Sequence, residues 1–239
     1  MQSAIYKITP DVLENEYYFE EFLATNLSNE YYWSDDWSPE FYISLAKKGF
    51  ISVSQDTKEG LILLPELQLH YGILDFKNLH ISKKVQKLLK KDDVTLSFNV
   101  RFDEIVDQLN QQHKYNWLKG KYAYLMEKLY KEKKLYDNFE IISVALISKN
   151  TQELIAGEIG YKIGKTYTSL SGFSSKEKAY NNYGKLQLVL LGKYLQNEGF
   201  SFWNLGHPHM KYKQRLGSVS HSREEFLQRW NEATKHELL

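Results

Sequence analysis

The chain of 239 residues contains no cysteine, which excludes disulfides, thiol nucleophiles and thiolate zinc sites and suits a reducing compartment. It lacks an excess of either charge: 31 Lys and Arg face 30 Asp and Glu, a formal net of +1. A nucleic-acid partner is therefore not forced by charge, and any basic surface has to be local. The opening stretch MQSAIYKITPDVLENEYYFEEF has no charged segment followed by an apolar one, so no signal peptide is expected. No apolar run approaches the length of a membrane span. The expectation is a cytoplasmic protein without a membrane partner. Walker loops, G-x-S-x-G elbows and H-E-x-x-H pairs are missing, as are internal repeats and long linkers. What remains is ample for a core, since 42% of the residues are hydrophobic and disorder is not expected.

Local grammar is clear at several places. In DDWSPEFYISLAKKGFISVS, Ser38 can cap a helix, Pro39 suits its first position and Gly49 can end it. Phe41, Tyr42, Leu45 and Ala46 form its apolar stripe. FISVS and GLILLPEL read as strands, Pro65 restricting the second to an edge or an end. FDEIVDQLNQQ and NWLKGKYAYLMEKLYKEKK read as helices, the latter with Asn116 as cap and Leu118, Tyr122, Leu125, Met126 and Leu129 on one face. FEIISVALIS, ELIAGEIGYKIG and KTYTSLSGFS are three successive strand-like runs. YGKLQLVLLGKYLQNEG is apolar on most sides, hence a buried helix ending at Gly199. FSFWNL reads as one more strand, and Ser222 with Glu225 as a capping box. The fold class expected is α+β, with a helix-rich N-terminal half, a mixed sheet with a buried helix in the C-terminal half, and a division near residue 92.

The segment LHISKKVQKLLKK concentrates charge. With Ser82 as cap, Val85, Leu88 and Leu89 share one side, while Lys83, Lys84, Lys87, Lys90 and Lys91 fan across the other with no acid among them. Such a face either holds phosphates through charge or is a solvated lysine surface. The loop NLGHPHMKYKQRLGSVSH carries three of the seven histidines. Two histidines two apart reach one metal only with outside ligands, and no carboxylate lies between them, so no metal is expected.

These segments, in order, resemble one family. WSPEFYISLAKKGFI is similar to L-S-P-E-x-L-x-x-A-Y-x-x-G-I-F, and LHISKKVQKLLKK to LH-[IV]-S-R-S-L-R-K-x-L-R. VTLSFNVRFDEIVDQL, NWLKGKYAYLMEKLY, ELIAGEIGYKIGKTYTSLSGFS and RLGSVSHSREEF follow the same family's later signatures. The chain resembles the leucyl/phenylalanyl-tRNA–protein transferases from about residue 37 to 226, as a divergent member; the first 30 residues have no counterpart.

The resemblance implies a GNAT-like acyl-transfer domain over 93–239, behind a smaller N-terminal domain over 1–92. It implies transfer of an amino acid from aminoacyl-tRNA to a protein's N-terminal α-amine, as a degradation mark (an N-degron), with aminoacyl-tRNA as co-substrate, no other cofactor, and a monomer. It also implies that Lys83, Lys84, Lys87, Lys90 and Lys91 meet the tRNA. Ser171, Phe173 and Ser174 match E-S-M-F-S and are expected to line the pocket. Trp117 is either a pocket wall or a core residue, and Gly157 and Gly160 mark either ordinary bulges or closely approached strand.

The departures are specific. The family's acid in G-E-S-M-F-S falls at Leu170, and its D-x-Q falls at Asn204 and Gly206. Asn204, His207 and His209, with Tyr212 and Lys213 nearby, are therefore expected to position the acceptor amine. Lys211, Lys213 and Arg215 suggest acidic or unselective acceptors, and HMKYK resembles the K-M-R-Y-K of arginyl-tRNA–protein transferases, which leaves arginine open as the donor. Two alternatives stand beside this reading: an inactive aminoacyl-tRNA-binding protein, and a CoA-dependent N-acetyltransferase. The second needs a Q/R-x-x-G-x-G/A phosphate loop before the buried helix, where SSKEKAYNNYGKLQ has a single glycine.

Overall fold

The computed structural model describes residues 5–112 and 117–235. The N-terminal part opens with β1 (Tyr6–Lys7), α1 (Pro10–Glu14), α2 (Glu16–Tyr18), a π-helical turn over Phe19–Ala24 and β2 (Tyr32–Trp33). Helix α3 (Pro39–Lys47) starts as its sequence predicts: Ser38 Oγ accepts from the Phe41 amide at 3.3 Å, with Pro39 in the first turn. Gly49, at φ +86°, turns the chain into β3 (Ile51–Thr57), which pairs antiparallel with β4 (Gly60–Glu66). Pro65 is accommodated because the outer side of β4 meets only isolated bridges, at Leu63 and Glu66.

The chain continues through β5 (His70–Leu74), α4 (Lys83–Leu89), β6 (Val94–Phe98), α5 (Phe102–Gln112) and α6 (Gly120–Lys131). Asn116, expected as a cap, lies outside the described residues; Lys119 precedes α6 without capping it. Then come β7 (Phe139–Ser148), β8 (Leu154–Ile163), β9 (Thr166–Ser174), α7 (Tyr183–Asn197), β10 (Phe202–Asn204), α8 (Lys211–Leu216), β11 (Val219–Ser222) and α9 (Arg223–Thr234). Ser222 and Glu225 form the expected capping box.

Seven strands make one mixed sheet in the order β11-β5-β10-β9-β8-β7-β6. Only β9 and β10 run parallel, joined by the crossover through α7. The expected division near residue 92 falls between α4 and β6; β5, from the N-terminal side of it, is an inner strand, so the two parts share one sheet. One face of the sheet packs on α3, α5, α6 and α9, and the other on α4 and α7. Both faces are thus covered, which is why β7 and β8 read as apolar runs rather than alternating ones.

Arg223 ties the N-terminal segment to this body. It is 1% exposed and donates to the carbonyls of Gln68, Leu23, Asn26, Asn29 and Leu67. The five N–H groups of a guanidinium thus meet five backbone acceptors that no other side chain could satisfy together.

Candidate active site

The strand pair β9 and β10 opens. Their register runs from Phe202↔Thr166 to Asn204↔Thr168, after which β9 continues to Ser174 without β10 beside it. The cause is local. Asn204 Oδ1 accepts from the Gly206 amide at 2.9 Å, and Leu205 and Gly206 stay bonded to Gly72 of β5. The chain therefore follows β5 and leaves β9. A cavity of about 1060 Å³ fills the gap, at the upper end of the usual range for small-molecule sites.

On its other side, β9 is bulged against β8: Gly160 faces Ser169 and Ile159 faces Ser171, with Leu170 as the extra residue. A side chain at Gly160 is impossible without rearrangement, because a Cβ there would lie 2.4 Å from both Thr168 O and Tyr167 Oη. Both readings of this glycine therefore hold: it sits at a bulge and is closely approached.

The bulge assembles a polar centre. Glu158 of β8 is 2% exposed. Its Oε1 accepts from Ser169 Oγ (2.7 Å) and Tyr167 Oη (3.0 Å), and its Oε2 from Gln187 Nε2 of α7 (3.0 Å). Trp203 Nε1 donates to Ser169 Oγ at 2.9 Å and holds that hydroxyl in place. Burial pushes the Glu158 carboxyl up, against the pull of these three donors and of Lys213. The family's acid and amide are absent at Leu170, Asn204 and Gly206, yet an acid and an amide stand in the same cleft on β8 and α7. The sequence signal was present: a carboxylate inside the apolar run LIAGEIGY, and a glutamine inside LQLVLL, where a buried helix has no other reason for one.

A second polar group faces the cavity from the β3–β4 side. Glu66 is 6% and Gln68 1% exposed. Glu66 Oε2 accepts from Gln68 Nε2 (3.2 Å) and pairs with His207 Nε2 (3.1 Å). Glu66 Oε1 and Gln68 Oε1 are buried without a hydrogen-bond partner. The bond to Glu66 raises the His207 pKa. Lys213, 7% exposed, donates to the His207 carbonyl at 3.1 Å and to the Leu205 carbonyl. Burial pushes its ammonium down to about 8, against the opposing effect of Glu158.

Of the residues expected from the sequence, Trp117, Ser171, Phe173, Ser174, His207, Tyr212 and Lys213 line this cavity. Trp117 also packs edge-on against Tyr122 at 4.9 Å, so it is wall and core together. Three other expected residues lie outside the lining. Asn204 is 1% exposed, does not line the cavity and spends its carbonyl oxygen on the turn at Gly206. His209 is exposed and outside the lining. Gly157 lies behind Phe173: a Cβ there would be 3.0 Å from Phe173 Cε1, Ile105 Cγ1 and Val144 O. Lys211 and Arg215 are also outside the lining, which holds the two buried carboxylates Glu66 and Glu158 together with Lys176, Lys178, Lys185 and Lys213.

The lysine helix α4 has Ser82 as its cap, as predicted, and buries Val85. Lys83, Lys84, Lys87, Lys90 and Lys91 are exposed. Lys91 Nζ stands 5.9 Å over the ring of Tyr183, the first residue of α7. The same end of α7 contributes Gly184, Lys185 and Gln187 to the cavity, with Lys176 and Lys178 nearby. The C-terminal end of α4 thus adjoins the start of α7, which reaches the cavity. Among the described residues no group of three or more His, Asp or Glu side chains is placed to hold a metal ion, and no helix is long and apolar enough to cross a membrane.

A mixed sheet, parted at its single parallel pair around a buried carboxylate, defines the class: an α+β protein with a cleft between strands. Residues 73–231 match the leucyl/phenylalanyl-tRNA protein transferase family, and the chain belongs to that family. It is 28% identical over 169 residues to a leucyl/phenylalanyl-tRNA–protein transferase of Maridesulfovibrio salexigens (70% of this chain) and 28% identical over 170 residues to that of Pseudoalteromonas atlantica (69%). The match spans 66% of the length of each relative. Among solved structures, FemX superposes with a TM-score of 0.47 at 10% identity over 88% of this chain and 76% of its own, a likeness too remote to bear on the site.

Proposed function

We propose that this chain transfers leucine or phenylalanine from a charged tRNA to the N-terminal α-amine of a protein, leaving a bulky apolar N-terminus as a degradation mark. The observation that carries this reading is the buried Glu158 carboxylate in the gap between β9 and β10. An aminoacyl ester is already activated, and an α-amine has a reference pKa of about 7.7–8.0. Transfer therefore needs the two brought together, and a group to take the proton that the amine releases. Glu158, fixed by Tyr167, Ser169 and Gln187, is that acceptor. Ile51, Val53, Trp117, Leu170 and Phe173 give the cavity an apolar wall, which suits the side chain of Leu or Phe.

The unpartnered Glu66 Oε1 and Gln68 Oε1 favour a cationic acceptor residue, Arg or Lys, since buried acceptor oxygens without donors are costly unless a ligand supplies them. The lysines of α4, with Lys178 and Lys185, hold the tRNA backbone so that its 3′ end enters the cavity. The protein is proposed to work in the cytoplasm as a monomer, with charged tRNA as its only co-substrate.

Leucyl-, phenylalanyl- and arginyl-tRNA presented with Arg-, Glu- and Ala-initiated peptides test this. The expected products are Leu or Phe on Arg-initiated peptides. Transfer from arginyl-tRNA alone, or to Glu-initiated peptides alone, overturns the corresponding half of the reading. Binding of charged tRNA without any transfer reduces the protein to a binder, and acetylation of a peptide from acetyl-CoA replaces the reading altogether.

A further inference from the structure

Lys213 and Glu158 are oppositely charged, both at least nine-tenths buried, and both line the same cavity. No ion pair within 4.0 Å joins them among the described residues. Glu158 is held by neutral donors, and Lys213 by two neutral carbonyls, those of Leu205 and His207. Buried charges are ordinarily paired, so two held apart across an open space mark a place for reacting groups that satisfy both. An ammonium carries three N–H groups. Two are given to carbonyls, which fix the nitrogen at the opened strand end and leave one for the cavity.

We infer that Lys213 is the proton donor to the leaving oxygen of the aminoacyl ester, opposite Glu158 as acceptor of the amine's proton. The inference rests on the transfer reading above. In the step, the neutral α-amine forms a C–N bond to the ester carbonyl carbon, and the C–O bond to the ribose oxygen breaks. The proton lost by nitrogen goes to Glu158, and the ribose oxygen takes one from Lys213. The carboxylic acid and the neutral amine left behind exchange a proton through solvent, which restores both. A ribose alkoxide is a poor leaving group, and a positioned side-chain donor that protonates it as the C–O bond breaks lowers that barrier. Besides Glu158 of β8, the titratable groups facing Lys213 are His207, bonded to Glu66, and Tyr212 of its own helix, and each of these is neutral or already engaged.

The test uses the full chain and two donors of the same amino acid: charged tRNA, and its p-nitrophenyl ester, whose phenolate leaves without a proton. Lys213→Arg keeps the charge and donors to both carbonyls but cannot release a proton near neutrality. Lys213→Met removes the charge. Both variants are expected to lose about 10²–10⁴-fold in kcat with charged tRNA, with charged-tRNA affinity unchanged and less than tenfold lost with the aryl ester. In the wild type, kcat with charged tRNA falls above about pH 8 as Lys213 deprotonates, and this limb is absent in Lys213→Arg. Activity of Lys213→Arg within threefold of wild type, or equal losses with both donors, overturns the inference and leaves Lys213 as a tether for the loop. Wild-type protein inactive with every charged tRNA removes the transfer reading itself, and this inference with it.

Discussion

Glu158 shows how a site is rebuilt from different positions. A carboxylate on β8 points to the α7 side of the sheet, and the bulge at Gly160 brings Ser169 and Tyr167 onto its oxygen. Leu170, where the resemblance implied an acid, is the extra residue of the bulge and lines the same cavity. Glu158→Gln is expected to lower kcat with charged tRNA by about 10²-fold or more while leaving tRNA affinity unchanged, as rate and binding assays can separate. Its effect on stability runs the other way. Burial raises the Glu158 pKa in the fold, so its contribution is complete below its unfolded value and is lost as pH rises through the folded one. In its ionised form the buried carboxylate is a cost. The neutral amide is therefore expected to gain melting temperature over the wild type as pH rises; a difference that does not change with pH would refute the assignment of that cost.

At the scale of elements, α4 and α7 act together. The lysine face of α4 has two readings from periodicity alone, and its position beside the start of α7, whose first turn reaches the cavity, is what the proposed phosphate-binding role rests on. Replacing Lys83, Lys84 and Lys87 together by Gln is expected to weaken tRNA binding and to lower the slope of log affinity against log salt by about two to three. Transfer from the small aryl ester should be unaffected. A salt slope unchanged by all three substitutions would make α4 a solvated face. The longer elements were legible because caps and apolar periods coincide in them, as at Ser38 for α3 and Ser222 for α9. β5, β6, α8 and β11 were not anticipated, because runs of four to six residues carry too few repeats to show a period.

For the whole molecule, the decisive link is Arg223. It belongs to the motif RLGSVSHSREEF that carries the resemblance, yet its guanidinium donates to five backbone carbonyls between residues 23 and 68. It thereby sets the N-terminal part, including Glu66 and Gln68, over the cavity. Arg223→Met leaves buried carbonyls without donors and is expected to cost about 3–5 kcal/mol in urea unfolding, with amide exchange accelerated first around Leu23–Asn29. Loss of less than about 1 kcal/mol would show that the segment is held by its apolar contacts alone.

The sequence by itself determined the class of fold, the family and the lysine helix, because caps, apolar periods and a run of like charges are local properties that survive without neighbours. The strand-like character of β7, β8 and β9 and the burial of α7 were equally plain. Only the tertiary structure decided which residues share the cavity. Glu158, Gln187, Glu66 and Lys213 come from a strand, a long helix, a hairpin and a short helix far apart in the chain, and a bulge and a splayed strand pair bring them together. It also separated His207 from His209 and turned Asn204 into a turn residue. Proximity in the fold is set by register and packing, which no single segment encodes.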